Sequence, residues 1–294
     1  MDPTDNNYQS STHDIKGDHV RIGDALILHA KLRHEDVERI IDLQKSKNIL
    51  FGDAAIKLGL IKESDLNKVL SQQFDYSYSY SDAESHQLNE VLIAAHTPFS
   101  EEVEKLRSLR GQLLMRWFDQ GNKTLAITSA GVEDGASQVA ANLAIVFSQL
   151  NKKTLLIDAN LRDSVQHKLF NVQTKLGLSN ILANKQGSYQ LTRPQSLPNL
   201  SILTAGTKVP NPQELLSRID FAELLSDLEI NYDIILLDTS PLNLASDVLT
   251  VVSKAKAAII VARKDYTLAT EIQHLNQQLN LTGAQIIGSI LQEF

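Results

Sequence analysis

Residues 124–138 read TLAITSAGVEDGASQ, and this stretch decides the fold. A strand-like run over residues 124–129 is followed by a loop with two glycines, which leads into a helical pattern over residues 136–150. This order predicts a phosphate-binding loop, because backbone N–H groups at the start of such a helix converge on phosphate oxygens. We expect five residues of the segment to contact the bound phosphates: Asp134, Gly135, Ala136, Ser137 and Gln138.

The sequence around this stretch alternates between apolar runs and amphipathic segments. Strands are predicted at residues 124–129, 154–158, 200–204, 234–238, 257–262 and 284–291, and helices at residues 101–118, 136–150, 212–216, 221–228, 246–253 and 268–279. Apolar strands separated by helices are typical of a parallel α/β sheet that is covered on both faces. Ligands of such sheets bind at the C-terminal ends of the strands. We therefore expect the chemistry just after Ser129, Asp158 and Asp238.

Two of the predicted strands end in an aspartate, Asp158 and Asp238. Carboxylates at strand ends that face a phosphate loop can hold Mg²⁺ through its water molecules and orient an attacking oxygen. We predict Asp158 to be a base or a ligand of a metal-bound water, and Asp238 to be a Mg²⁺ ligand. The hydroxyl of Ser137 is a third candidate Mg²⁺ ligand.

The loop lacks the lysine that follows the second glycine in other phosphate loops, and Ala136 stands in that position. That lysine bridges the β- and γ-phosphates and offsets their charge. Glu133 and Asp134 add negative charge to the loop instead. We therefore predict weakened binding of ATP and of its transition state. A compensating cation would come from Arg162, Arg263, Lys264 or a partner subunit, which the sequence does not rank.

The first part of the chain contains an internal repeat. Residues 21–44 align with residues 50–73 at an offset of 29, and each unit predicts a short helix followed by a longer amphipathic helix. We predict a disordered tail over residues 1–17, a helical domain over 18–75, a polar linker over 76–97 and the α/β domain over 98–294. The linker contains Tyr76, Tyr78 and Tyr80, which are either half-buried strand residues or phosphorylation acceptors.

Composition and charge exclude several classes of protein. The chain has 294 residues, of which 43% are hydrophobic and 21% charged, so it is neither low-complexity nor fully disordered. The absence of cysteine excludes disulfides, thiolate metal sites and cysteine nucleophiles. The net charge of −7 gives no overall attraction to nucleic acid or anionic lipid. The apolar runs are much shorter than the roughly 20 residues of a membrane span, so we expect a cytoplasmic protein without a transmembrane segment.

Residues 98–294 resemble the bacterial tyrosine kinases of capsule and exopolysaccharide synthesis, which are relatives of the MinD/ParA ATPases. Three further motifs carry this resemblance. Glu104-x-x-Arg107-x-x-Arg110 fits the family's Glu-x-x-Arg-x-x-Arg helix, residues 158–162 are close to its Asp-x-Asp-x-Arg motif, and residues 210–216 are similar to its Pro-Asn-Pro-x-Glu-Leu-Leu segment. The resemblance implies a parallel, doubly wound P-loop (MinD/ParA-like) sheet, joined here to a small N-terminal helical domain.

The same resemblance implies a biochemical role. ATP and Mg²⁺ are the expected cofactors, and the expected reaction is phosphotransfer from ATP to tyrosine. The resemblance assigns the catalytic roles to Asp158, Asn160 and Asp238, a nucleotide contact to Arg162, and subunit contacts in a homo-oligomer to the Glu104, Arg107 and Arg110 helix. Spacing alone also fits ion pairs within that helix. The expected partner is a membrane chain-length determinant, or polysaccharide co-polymerase, which holds the protein at the inner membrane.

The tandem unit over residues 18–75 resembles the N-terminal domain of type II secretion and type IV pilus ATPases. Some members of that family bind cyclic di-GMP through an Arg-Leu-Gly stretch in each repeat. Arg21-Ile22-Gly23 is close to this pattern, whereas Leu50-Phe51-Gly52 lacks the arginine. The alternative is a docking module that binds no nucleotide. The combination of the two domains resembles the EpsG-type subgroup of the kinases.

Three departures from the kinase pattern bear on catalysis. Ala136 replaces the lysine, Asn160 replaces the second aspartate of Asp-x-Asp-x-Arg, and residues 285–294 contain no tyrosine. Our hypothesis is a kinase-fold regulatory subunit that influences polymer length, with weak or no phosphotransfer. The alternatives are an active tyrosine autokinase, a cyclic di-GMP-responsive module and, last, a positioning ATPase of the MinD type.

Overall fold

The computed structural model of the chain describes residues 22–30, 32–62, 65, 66, 69, 88–183 and 191–293. They belong to two compact units, which divide between Asp75 and Tyr76. The tail predicted over residues 1–17 and the linker tyrosines lie outside the described residues. Within the described ranges, no helix is both long and apolar enough to cross a membrane.

The first unit contains three described helices: α1 (Ile22–Ala30), α2 (His34–Lys47) and α3 (Phe51–Lys57). The Asp36 carboxylate accepts the backbone N–H of Arg33 at 3.2 Å, and the Asp65 carboxylate accepts that of Lys62 at 2.9 Å. Such contacts satisfy N–H groups that the helix backbone leaves open. Both members of the second pair lie 29 residues after their equivalents in the first, so this capping contact recurs at the offset of the sequence repeat.

The second unit is an α/β domain with a parallel sheet in the order β3-β2-β4-β1-β5-β6. Its strands are β1 (Thr124–Ser129), β2 (Thr154–Asp158), β3 (Leu200–Leu203), β4 (Ile234–Asp238), β5 (Ala257–Arg263) and β6 (Gln285–Gln292). Its helices are α4 (Ile93–His96), α5 (Glu101–Arg116), α6 (Ala136–Ser148), α7 (Gln166–Leu169), α8 (Leu178–Ala183), α9 (Pro212–Ser217), α10 (Ile219–Asn231), α11 (Asp247–Ala255) and α12 (Ala269–Asn280). The predicted fold class is confirmed.

The sheet carries one hydrophobic core on each face. Successive residues of a strand point to opposite faces, so Leu125 and Ile127 of β1 join one core and Ala126 joins the other. Every residue of β1, β2 and β4 is buried, which explains why these strands are apolar along their whole length. Helix α6 is buried along most of its length against the first core. These central strands therefore form a rigid base for the loops that follow them.

The predicted linker ends earlier than residue 97. Leu92 and Ala94 are fully buried in the core of the second unit. The Asn142 side chain of α6 accepts the Ala94 N–H at 2.9 Å and donates to the Val91 carbonyl at 2.9 Å, and Gln149 donates to the Ala94 carbonyl at 3.0 Å. Buried side-chain amides thus satisfy the backbone of this polar segment. Residues 88–97 are part of the second unit, because long-range contacts that composition does not reveal hold them there.

Most predicted element boundaries agree with the structure to within a few residues. Helix α10 begins two residues earlier and ends three residues later than predicted, and β3 ends one residue earlier. The short helices α4, α7 and α8 were not predicted. Each has four to six residues, which is too short for a helical repeat of apolar positions to stand out.

Candidate functional site

The phosphate loop connects β1 to α6, as predicted. A short 3₁₀ turn, Val132–Asp134, leads to Gly135, whose φ of 84° lies in the left-handed region. Glycine adopts this conformation without steric cost, and here it turns the chain into the first turn of α6. The Ser129 hydroxyl donates to the Gly131 carbonyl at 2.8 Å and closes the start of the loop. The loop therefore leads directly into the N-terminus of α6, the place where the sequence predicts phosphate binding.

Asp134 braces this loop from within. Its side chain is buried, and its carboxylate accepts the Gly131 N–H at 2.8 Å and the Thr267 hydroxyl at 2.6 Å. The Thr267 hydroxyl oxygen in turn accepts the Arg263 N–H at 2.7 Å. The carboxylate thus ties the loop to the connection between β5 and α12. It also uses the Gly131 N–H internally, and the phosphate contact predicted at Asp134 stays a prediction.

The carboxylates of Asp158 and Asp238 lie side by side. These residues end β2 and β4, are paired in register, and are fully buried. Asp158 Oδ2 accepts the backbone N–H groups of Val165 at 3.2 Å and Gln166 at 3.1 Å. Asp238 Oδ1 accepts the Ser137 hydroxyl at 3.0 Å. The structure therefore brings together the three residues that the sequence selected as metal ligands.

Burial changes the protonation of this pair. It raises the pKa of Asp158 well above the usual range of a carboxyl group, and the negative charge of Asp238 raises it further. Burial also raises the pKa of Asp238 to about 6, although hydrogen bonds from Gln166 and Ser137 oppose this effect. Without a cation, burial therefore favours the protonated form of Asp158, whereas Asp238 is mostly ionised at pH 7. A bound cation would favour the charged form.

Gln166, at the start of α7, is a site residue that the sequence analysis missed. Its Nε2 donates to Asp238 Oδ2 at 2.7 Å and to the Ser137 carbonyl at 3.0 Å. The side chain is fully buried. A lone glutamine eight residues after a strand belongs to no motif and carries no periodic signal, so nothing in the sequence indicated it.

The residues of the site fit a Mg²⁺ ion that arrives with a nucleotide. Asp158 Oδ1 is buried and has no hydrogen-bond partner among the described residues, and such oxygens are normally satisfied by a ligand or water. Mg²⁺ typically uses one or two carboxylates together with phosphate oxygens. In the described part of the chain, no three His, Cys, Asp or Glu residues cluster as a closed metal cage. Ser137, Asp158 and Asp238 therefore fit a shared rather than a self-sufficient metal site.

Asn160 and Arg162 make local or structural contacts. Asn160 donates to the Asp163 carbonyl at 3.0 Å and accepts the Asp163 N–H at 3.1 Å, which closes its own loop. Arg162 binds the buried carboxylate of Asp247 at 2.6 and 3.0 Å. Asp247 is the first residue of α11 and is only 2% exposed. The charge of Arg162 is therefore offset by Asp247.

The other two candidate cations differ in position. Lys264 forms an exposed ion pair with Glu293 at 2.5 Å. The Arg263 guanidinium lies 3.8 Å from the Glu133 carboxylate and 4.9 Å from the centre of the Tyr266 ring. A hydrogen bond to Glu133, and the charge of that residue, raise the pKa of Tyr266. Arg263 is the candidate cation that lies against the phosphate loop.

The predicted oligomer helix is α5, and its two arginines are anchored within the second unit. Arg107 contacts Glu104 at 2.8 Å and donates to the Pro98 carbonyl. Arg110 donates to the Val146 carbonyl of α6. The alternative of an ion pair within the helix is therefore present for Glu104 and Arg107. Glu104 is largely exposed, and the subunit contact stays a prediction.

In the first unit, Arg21 lies outside the described residues, whereas both glycines of the predicted cyclic di-GMP site are described. Gly52 is buried, and a Cβ atom there would lie 2.7 Å from Leu66 Cδ1. A Cβ at Gly23 would lie 3.9 Å from the Phe51 ring. Close packing of α3 thus explains Gly52 without a ligand. Cyclic di-GMP binding stays a prediction.

Comparison with known proteins identifies relatives of the second unit. The AAA domain family matches residues 123–286, which is more than half of the chain. The putative tyrosine-protein kinase CapB of Staphylococcus aureus is 31% identical over 196 residues, which are 67% of this chain and 86% of CapB. The tyrosine-protein kinase Etk of Escherichia coli K12 is 32% identical over 213 residues, which are 72% of this chain but only 29% of Etk. The chain thus spans most of CapB and less than a third of Etk.

Among solved structures, a tyrosine kinase domain is also similar to this chain. The kinase domain of E. coli ETK has a TM-score of 0.66 at 33% identity, covering 69% of this chain and 79% of that domain. The septum site-determining protein MinD of Pyrococcus horikoshii has a TM-score of 0.50 at 22% identity, covering 58% of this chain and 70% of MinD. The second likeness concerns the fold alone, and it agrees with the predicted MinD-like sheet.

Proposed function

This chain belongs to the bacterial tyrosine kinase family, and from that premise we propose that it is a regulatory subunit of a capsule or exopolysaccharide assembly system. Its phosphotransfer from ATP to tyrosine is weak or absent. It docks, as a homo-oligomer, on a membrane chain-length determinant and thereby influences polymer length. The protein is held at the inner membrane through that partner.

The observation that carries this proposal is Ala136 at the start of α6. The residue is 6% exposed and offers a methyl group where a phosphate loop normally has an ammonium group. The neighbouring carboxylates of Glu133 and Asp134 add negative charge. A γ-phosphate in this loop would therefore lack the charge that stabilises both its binding and its transition state.

The positions of the other cations support the same conclusion. Arg162 is engaged by Asp247, and Lys264 by Glu293. Arg263 lies beside the loop, where its guanidinium is 3.8 Å from the carboxylate of the loop's own Glu133. Arg162 and Lys264 are each accompanied by a carboxylate outside the loop, and Arg263 offsets the charge of Glu133 without replacing the missing lysine.

The remaining parts of the site would still hold a nucleotide. The backbone N–H groups at the start of α6 would bind phosphate oxygens, and Ser137, Asp158 and Asp238 would hold Mg²⁺. When bound, that ion neutralises phosphate charge. Asp158 Oδ1 has no partner among the described residues, and it would accept the proton of a tyrosine hydroxyl once a bound cation favours its charged form. We therefore expect residual nucleotide binding that exceeds residual phosphotransfer.

Regulation through assembly requires no catalysis. A subunit that binds one state of its partner better than another shifts the partner's equilibrium by that difference in affinity. The exposed Glu104 on α5 is the member of the oligomer motif that a neighbouring subunit can reach, whereas Arg107 is only 14% exposed. We expect the neighbour's contact to involve Glu104 first.

Titration of the full chain with ATP and Mg²⁺ tests the central claim. The variants are Ala136→Lys, which adds the missing ammonium group, and Ala136→Met, which adds a side chain of similar length without charge. We expect Ala136→Lys to bind ATP at least about tenfold more tightly than wild type or Ala136→Met, a difference of about 1.4 kcal/mol in binding free energy. Equal binding by the Lys and Met variants would show that the missing charge is not the defect.

A phosphorylation assay separates the regulatory subunit from an active autokinase. Wild-type protein is incubated with labelled ATP, Mg²⁺ and the cytosolic segment of its partner, with Asp238→Ala as the control for the metal site. We expect far less than one phosphotyrosine per chain. Stoichiometric phosphotyrosine that disappears in Asp238→Ala would refute weak catalysis and establish the autokinase alternative.

A further inference from the structure

Gln166 lies at the centre of the carboxylate site and is not part of any motif of the sequence. Its side-chain amide connects Asp238 to the Ser137 carbonyl, and its backbone N–H binds Asp158. Gln166 therefore contacts three elements that meet at this site: the ends of β2 and β4 and the start of α6. The side chain is fully buried, so it is a built part of the site.

The two oxygens of Asp238 have different kinds of partner. Oδ1 accepts the Ser137 hydroxyl at 3.0 Å, and Oδ2 accepts the Gln166 amide at 2.7 Å. A hydroxyl can rotate and present an oxygen lone pair to a cation, whereas an amide NH₂ group only donates. A cation can therefore approach Asp238 beside Ser137, but at Oδ2 it meets N–H groups. Binding of a cation at Oδ2 requires the amide to move away.

Unsatisfied oxygens nearby point to a second ligand. Gln166 Oε1 and Asp158 Oδ1 are both buried, and neither has a partner among the described residues. Buried polar atoms without partners are rare in folded proteins. The present arrangement gives Asp238 Oδ2 the Gln166 amide as its partner and leaves Gln166 Oε1 and Asp158 Oδ1 without one. A cation at this place would displace the amide from Oδ2 and give the open oxygens a partner.

We propose that Gln166 is a positioning residue that competes with Mg²⁺ for Asp238. Its amide occupies Oδ2 and keeps the carboxylate in place when no metal is bound. Together with Ala136, it is a second feature of this chain that weakens the phosphate site. This inference rests on the proposed function only for the location of Mg²⁺.

Titration of the full chain with Mn²⁺, in the absence of nucleotide, tests the competition. Free Mn²⁺ is measured by electron paramagnetic resonance for wild type and for Gln166→Met, in which a side chain of similar length has no N–H group. A hydrogen bond to a charged acceptor is a strong one. We therefore expect Gln166→Met to bind Mn²⁺ about tenfold more tightly, equivalent to about 1.4 kcal/mol.

Gln149→Met is the matched control. Gln149 is also buried, donates to a backbone carbonyl at 3.0 Å, and has an Oε1 atom without a partner in the described part of the chain, but it has no carboxylate partner. We expect Gln149→Met to lower the melting temperature by the same amount with and without Mn²⁺ and to leave Mn²⁺ affinity unchanged. The same behaviour in Gln166→Met would assign Gln166 a purely structural role and overturn the proposal.

Gln166→Glu covers the case in which the Met variant does not fold. A carboxylate in place of the amide repels Asp238, so we expect a lower melting temperature in EDTA and a larger rise on adding Mn²⁺ than in wild type. An equal rise in both proteins would overturn the proposal. These measurements contain no ATP, so their outcome does not depend on phosphotransfer. Rapid tyrosine phosphorylation in the separate assay with labelled ATP would refute weak catalysis, and the Mn²⁺ comparison would still test the role of Gln166.

Discussion

The brace between Thr267 and Asp134 makes a quantitative prediction about the phosphate loop. Thr267→Val keeps the shape of the side chain and removes the hydroxyl that donates to Asp134 at 2.6 Å and accepts the Arg263 N–H at 2.7 Å. A hydrogen bond to a charged group contributes about 1.5–3 kcal/mol and a neutral one about 1 kcal/mol. Because Thr267 is partly exposed and water can replace part of this, we expect a loss of about 2 kcal/mol.

Urea unfolding followed by tryptophan fluorescence measures this loss. The chain has a single tryptophan, Trp117, which is buried in the second unit and donates to the Thr124 carbonyl. It therefore reports the unfolding of the unit that contains the loop. With a urea dependence of about 2 kcal/mol per molar, a loss of about 2 kcal/mol moves the midpoint by about 1 M.

Thr282→Val is the control for this experiment. The Thr282 hydroxyl also makes one bond as a donor, to the Leu279 carbonyl at 2.6 Å, and one as an acceptor, from the Ala284 N–H at 3.3 Å. Neither partner is charged, so we expect its loss to be about half that of Thr267→Val or less. Equal midpoint shifts for the two variants would refute the argument that the Asp134 carboxylate makes the brace strong.

Three further predictions follow from single contacts. The folded-state pKa of Asp238 is raised from 3.8 to about 6, so the folded protein binds the proton more tightly and loses stability as pH rises through this range, by about 3 kcal/mol in total. Somewhat less than half of this loss, about 1.4 kcal/mol, falls between pH 5 and 7.5, and Asp238→Asn should be free of it when midpoints are compared at these two pH values. Arg162→Met leaves the buried Asp247 carboxylate without its cation and should lower the free energy of unfolding by about 2 kcal/mol, after allowance for the partial exposure of the arginine. The double variant with Asp247→Asn should recover part of this loss when both are measured by urea unfolding. Gly52→Ala places a Cβ 2.7 Å from Leu66, and the overpacking should cost about 1 kcal/mol, measured as faster hydrogen exchange of the α3 amides.

The strand ends that form the site show how far sequence reasoning reaches. Strands β1, β2 and β4 were predicted to the residue, because each is an apolar run ended by a polar side chain. Their parallel orientation followed from the intervening helices, and so did the expectation that Asp158 and Asp238 lie at the same edge of the sheet. Ser137 was found because it follows the loop glycine at a fixed spacing.

The roles of individual polar side chains were harder to predict. A phosphate contact at Asp134 stays a prediction, and the structure adds that its carboxylate binds within the loop and to Thr267, which is 133 residues away in sequence. A nucleotide contact at Arg162 also stays a prediction, and the structure adds that this side chain binds Asp247, 85 residues away. In both cases the partner comes from a distant part of the chain, which the local sequence does not indicate.

The sequence by itself determined the sheet, the position of the loop and the lack of a lysine, because strand burial and loop chemistry depend on neighbouring residues along the chain. Only the tertiary structure decided which hydrogen bonds occupy the carboxylates. Gln166 reaches Asp238 across 72 residues of sequence, and its choice of partner depends on where two separate strands and a helix place their ends. Hydrogen bonds act over about 3 Å, a distance that residue spacing along the chain does not specify.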